Sequence, residues 1–142
     1  MTRQEVEHFL SGYRMAKKRI RSLTEQIAEL RESKMSVGSP ELDAMPKGSD
    51  ISDLSVYAAR LDELERELMS EQAAAEKALE EVIRAINLIE SETEREAMTL
   101  YYIRGYRWKK VCADLNYSRK QIFRIRNRAI HSLALILDDD IE

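Results

Sequence analysis

Apolar residues recur every seven positions through the first part of the chain: Val6, Tyr13, Ile20 and Ile27, followed three residues later in each case by Phe9, Ala16, Leu23 and Leu30. Alternating steps of three and four put all eight on one stripe of a helix, the seam of a coiled coil. The pattern predicts a helix over 3–34, opened by Thr2 and Glu5 at capping-box spacing. A second series, Leu54, Leu61, Leu68, Ala75, Val82 and Ile89, flanked by Tyr57, Leu64, Ala78 and Ala85, predicts another over 53–90. Glu71 falls on that second seam and Ala73 to Ala75 thin it, so Leu79 and Ile86 are expected to take over the contact after a change of phase. Residues 35–52 have no period and hold both prolines and half of the glycines. They read as a loop, either a plain hairpin tip or a partner-docking segment using Leu42 and Met45. The expected architecture of 1–90 is a long antiparallel helical hairpin, coiled-coil-like.

The spacing shortens after residue 90. Ala97, Leu100, Tyr101 and Ile103 follow one helical face, with Ser91 and Glu94, or Thr93 and Glu96, as capping pairs, and Gly105 as the break. A short helix over 107–114 is expected to bury Trp108, Val111 and Cys112, together with Leu115 just beyond it. Asn116 suits the left-handed residue of a tight turn. Ser118, with Gln121 three residues on, is positioned to cap a third helix whose inner face repeats Ile122, Ile125, Ala129 and Leu133. Two helices joined by a short turn, the second opening on Arg-Lys-Gln, read as a helix-turn-helix over 91–137. The apolar residues Leu133, Leu135, Ile136 and Leu137 are read either as core or as an association surface, and 138–142 as an acidic tail in which the helix frays.

Charge sharpens this division. The whole chain carries a formal net charge of −3, yet Arg104 to His131 holds nine Lys and Arg against the single acid Asp114. A cationic field of that density on a short helical unit is the footprint of a phosphate binder. The second long helix is its opposite, ten acids against four bases between Asp53 and Glu90, and is not expected to lie on DNA. The cluster Lys17, Lys18, Arg19 and Arg21 is read either as pairing with those acids or lying solvated, or as a second phosphate contact. With 44% apolar and 35% charged residues, four Gly and two Pro, the composition is that of an all-α protein. A lone Cys forms no internal disulfide, and no apolar run reaches the ~20 residues of a membrane span, so a cytoplasmic location without membrane contact is expected. His8 and His131 stand apart from metal-ligand partners, and no phosphate loop, nucleophile elbow or paired carboxylates are visible. Neither enzyme activity, cofactor nor metal is therefore expected.

In this reading the third helix enters the major groove by its first turns. Arg119, Lys120 and Gln121 reach base edges, and Arg124 reaches the next bases or flanking phosphates. Arg107, Lys109 and Lys110, with Arg126 and Arg128, hold phosphates and set the register. Phe123 either meets a thymine methyl or packs on the preceding helix. Trp108 is expected in the core rather than stacked on bases.

The run Glu94-Arg95-Glu96, then Leu100-Tyr101-Tyr102-Ile103-Arg104-Gly105, then Trp108, Val111, Leu115, Ser118, Ile122, Arg128-Ala129 and Leu133 resembles region four of sigma-70 family factors. Arg107, Cys112 and Asn116 depart from that family's usual Ser or Thr, Ala and Gly. The resemblance implies promoter-element recognition and contact with host RNA polymerase. The full layout is similar to small sigma-like regulators of phages and prophages of Gram-positive bacteria, which implies a transcriptional regulator. Two other readings remain open: a small terminase-like DNA-packaging subunit, and a structural coiled-coil adaptor. The exposed seam of a two-helix hairpin calls either for docking on the helix-turn-helix or for self-association, with a homodimer the expected assembly.

Overall fold

The structure is a computed structural model describing residues 1–37 and 48–139, with side chains described for 1–33 and 52–138. It is all-α. Among the described residues six helices follow in order: α1 (Arg3–Leu10), α2 (Gly12–Val37), α3 (Gly48–Ile86), α4 (Glu92–Tyr102), α5 (Trp108–Leu115) and α6 (Arg119–Asp139). No helix among these residues is long and apolar enough to cross a membrane.

The helix expected over 3–34 is interrupted at Ser11, which caps α1 in right-handed conformation before α2 starts at Gly12. Thr2 opens α1 with the anticipated capping box, its hydroxyl accepting from the Glu5 amide while the Glu5 carboxylate accepts from the Thr2 amide. The interruption shifts the phase of burial. Val6 and Leu10 are fully buried, whereas Phe9, assigned to the seam by the heptad pattern, is half-buried. Of the loop expected over 35–52, residues 35–37 belong to α2 and 48–52 to α3, and residues 38–47 lie outside the described residues. Leu42 and Met45 lie outside the described residues.

The chain divides into two compact units, 1–16 with 75–142 and 17–74. The expected boundary at residue 90 is therefore displaced, since both ends of the hairpin join the helix-turn-helix. In the smaller unit Leu23, Ile27 and Leu64 form the core, with Leu30, Leu61 and Leu68 against it. Arg19 pairs with Glu71 at 2.9 Å and Arg31 with Glu65 at 3.0 Å, so α2 and α3 run in opposite directions there. The acid on the α3 seam thus has a basic partner, as anticipated for the basic cluster of α2. Leu54, placed on the seam by its spacing, is instead exposed.

The larger unit has two apolar clusters. One joins Val6 and Leu10 of α1 to Val82, Ala85 and Ile86 of α3 and to Ile89, and these to Met98 and Tyr102 of α4 and Ala129, Ile130 and Leu133 of α6. Here the hairpin ends find the cover that two helices alone lack. The other cluster, Ala97, Val111, Ile122 and Ile125, is the core of the helix-turn-helix, surrounded by Trp108, Cys112 and Leu115. Leu133 belongs to the first cluster as core, with Leu137 partly buried against it, while Leu135 is exposed. Asp138 and Asp139, read as tail, are still helical, and residues 140–142 lie outside the described residues.

Candidate nucleic-acid interface

Local chemistry explains how α5 and α6 are set at their turn. α5 ends on Asn116, the one non-glycine residue of positive φ among those described, at φ 58° and ψ 40°. A short side chain that bonds locally tolerates this left-handed geometry better than a branched one. The Tyr117 amide then donates to the Cys112 carbonyl, closing the end of the helix. Ser118 opens α6 through a reciprocal box: its hydroxyl accepts from the Gln121 amide at 3.1 Å, and the Gln121 side-chain oxygen accepts from the Ser118 amide at 2.9 Å. At the start of α5, Arg107 is the N-cap and supplies no side-chain hydrogen bond. The first turn of α5 therefore has no side-chain cap, although the Lys110 amide donates to the Arg107 carbonyl at 2.9 Å, and the amides of Trp108 and Lys109 are left in a setting that favours an anion.

Burial sorts the basic residues. Arg107, Lys109, Arg119, Lys120, Gln121, Arg124 and Arg128 are all exposed, as is Lys110, whose ammonium lies 4.0 Å from the Tyr106 ring centroid. Lys120, Arg124 and Arg128 stand four residues apart and share one helical face. At ~1.5 Å per residue they span about 12 Å, comparable with the width of a major groove. Ile122, Ile125 and Ala129 point into the core between them and fix that face outward.

The Gln121 oxygen already accepts from the Ser118 amide, so an adenine edge would have to share that oxygen with the cap through its second lone pair, while the NH₂ is not used by the cap. One assignment needs correction. Arg126 is not a surface phosphate ligand. Its side chain is 21% exposed, donates to the Glu7 carboxylate of α1 at 3.2 Å and lies 5.8 Å from the Trp108 ring centroid. It also lies beside the Tyr102 hydroxyl. Burial pushes the Tyr102 hydroxyl above its ordinary range, and the neighbouring Arg126 charge and hydrogen bond partly oppose that rise.

Aromatic residues brace the start of α5. Trp108 is half-buried and stacks on Tyr101 with centroids 4.1 Å apart and planes 10° from parallel, which accords with a packing role. Phe123 is 37% exposed, with the Arg119 guanidinium 5.7 Å from its ring centroid. Arg14, which no period or motif singles out, reaches the same region from α2. It donates to the Tyr101 carbonyl at 3.0 Å and the Tyr106 carbonyl at 3.4 Å. Its only sequence signal is a charge two residues before Ala16 on an otherwise apolar stretch.

Residues 48–134 match the protein family DUF1492, described as a protein of unknown function. The match takes in more than half of the chain, which belongs to that family. No curated protein and no solved structure matches the chain.

Proposed function

We propose that this member of the DUF1492 family is a sequence-specific, double-stranded DNA-binding transcriptional regulator that uses α6 as its recognition helix. The reading rests chiefly on one observation. The first turns of α6 are capped and oriented by Ser118 and Ile122, and leave Arg119, Lys120 and Arg124 exposed together. Arginine suits base reading because its paired donors match a guanine edge, each good bidentate contact discriminating by ~1 to 3 kcal/mol. Lys120 supplies a more flexible donor beside it, and the free NH₂ of Gln121 a further one.

Arg107 and Lys109 on α5 and Arg128 on α6 hold backbone phosphates and set the register. The resemblance to sigma region four supports promoter DNA as the target, host RNA polymerase as a partner and a phage or prophage setting. A homodimer would read paired half-sites about one helical turn apart.

Selection of duplexes from a random library with the purified chain tests this reading. It is expected to enrich one motif, and affinity for that motif should fall with salt at a logarithmic slope of roughly −3, about 0.9 for each of three phosphate cations. Recovery of no common motif, with equal affinity for all duplexes, would refute sequence-specific recognition.

A further inference from the structure

Arg14 sits at the beginning of α2, far in sequence from the helix-turn-helix and outside residues 48–134 that match the family. Three contacts nevertheless bring it to the turn between α4 and α5. Its Nη1 donates to the carbonyl of Tyr101, in the last turn of α4, and to that of Tyr106, next to the N-cap of α5. Its guanidinium carbon also lies 4.3 Å from the Tyr101 ring centroid, and that ring stacks on Trp108, the first residue of α5.

The turn has little else to tie it at its centre. Gly105 takes φ +78°, and a Cβ there would meet nothing within 4 Å, so the packed residues are those on either side, Ile103 against one apolar cluster and Tyr106 against the other. The backbone bonds across it are few: Ile103 and Arg104 amides to the Thr99 carbonyl, and the Tyr106 amide to the Leu100 carbonyl, each 3.0 Å. A cation that bonds carbonyls on both sides and covers the adjoining ring restricts the turn more than either contact alone, because both bonds leave one nitrogen of a planar group that the Tyr101 ring also holds.

We infer that Arg14 is a positioning residue for the DNA-reading unit: it clamps the α4–α5 turn and so aims the uncapped start of α5, with Arg107 and Lys109, at the duplex backbone. The aim toward a duplex rests on the function proposed above; the clamp itself does not. Segment 1–16 would then be a working part of the DNA-binding unit rather than an appended coiled-coil strand.

Arg14→Met keeps most of the stem and removes every donor, and Arg14→Lys keeps the charge and three donors on a compact ammonium but loses the planar guanidinium over the Tyr101 ring. Both are made in the full chain and checked by circular dichroism. Without DNA, amide exchange at Arg104 and Tyr106 should accelerate in Arg14→Met, and iodide quenching of Trp108, the sole tryptophan, should increase. Arg14→Lys should restore part of both. With the selected duplex, Arg14→Met should bind roughly tenfold more weakly, the equivalent of one charge-assisted hydrogen bond, with a salt slope shallower by about 1.

Unchanged exchange and quenching in Arg14→Met would overturn the clamp. Faster exchange with unchanged affinity and salt slope would overturn its role in aiming α5. If Arg14→Met fails to fold, Arg14→Lys decides, since exchange and affinity both at the level of the unaltered chain would refute the need for the guanidinium. Absence of duplex binding by the unaltered chain would refute the proposed function and the aiming role, while the exchange data still judge the clamp.

Discussion

Arg126 gives the sharpest contrast between a cation that holds the fold and one proposed to hold DNA. Its guanidinium pairs with Glu7 at 3.2 Å, where side-chain exposures are 21% and 33%. At an effective dielectric of about 20 the gross attraction at that distance is on the order of 5 kcal/mol. Desolvation and solvent screening remove most of it, leaving a net cost of about 1 to 2 kcal/mol for Glu7→Gln. Arg126 would then be left beside Tyr102 and Trp108 with its Nε still buried and unpaired. The melting temperature should drop by about 3 to 8 °C for a chain of this size. Arg126→Met removes the buried charge together with its desolvation penalty and returns Glu7 to solvent and to Arg3, 3.4 Å away. It should cost less than Glu7→Gln, the reverse of what a count of lost hydrogen bonds suggests. Thermal melts of both variants, with salt titrations of duplex binding, test the reasoning. Arg126→Met should leave the salt slope unchanged, whereas Arg128→Ala should lower it by about 0.9. A shallower slope for Arg126→Met, or greater destabilisation than Glu7→Gln, would refute the inward role.

Three other outcomes follow from the same geometry. Ser118→Ala breaks the box that opens α6 and should cost about 1 kcal/mol in chemical denaturation; a loss below a few tenths would mean that the cap carries no weight. Ile122→Ala, at a fully buried site of the helix-turn-helix core, should cost about 2 to 5 kcal/mol, and a negligible change in denaturation midpoint would contradict that core. At Asn116 the positive φ predicts an order rather than a size: Asn116→Gly should be at least as stable as the unaltered chain and Asn116→Val clearly less so. Equal melting temperatures for the two would argue against the left-handed turn.

What the sequence disclosed was mostly what three or four neighbouring residues decide. The capping boxes Thr2–Glu5 and Ser118–Gln121 and the left-handed Asn116 were legible because donor, acceptor and backbone conformation are set locally. The inner face of α6 was legible because Ile122, Ile125, Ala129 and Leu133 keep helical spacing. The break at Ser11 was not, since the heptads of α1 and α2 run on either side of it and the displaced phase shows only when Leu10 buries in place of Phe9. Arg126 was read outward because a charge at the edge of an apolar face gives no hint that a carboxylate from α1 will meet it. Nor could the unit boundary be read, because charge and composition separate the acidic hairpin from the basic helices while tertiary burial joins 1–16 and 75–90 to them. Arg119, Lys120, Arg124 and Arg128 are exposed, as the inner-face spacing implied, whereas Arg126 turns inward. What these cations touch depends on helices distant in the sequence.

Mapping the sites occupied by the tagged chain across its host genome, alongside a version carrying Arg119→Ala and Arg124→Ala, tests the central claim most directly. Discrete peaks sharing one motif upstream of transcribed genes, lost in the double variant although it folds and accumulates normally, are the predicted result. Diffuse occupancy, or peaks that survive loss of both arginines, would contradict the assignment of α6 as the helix that reads the duplex.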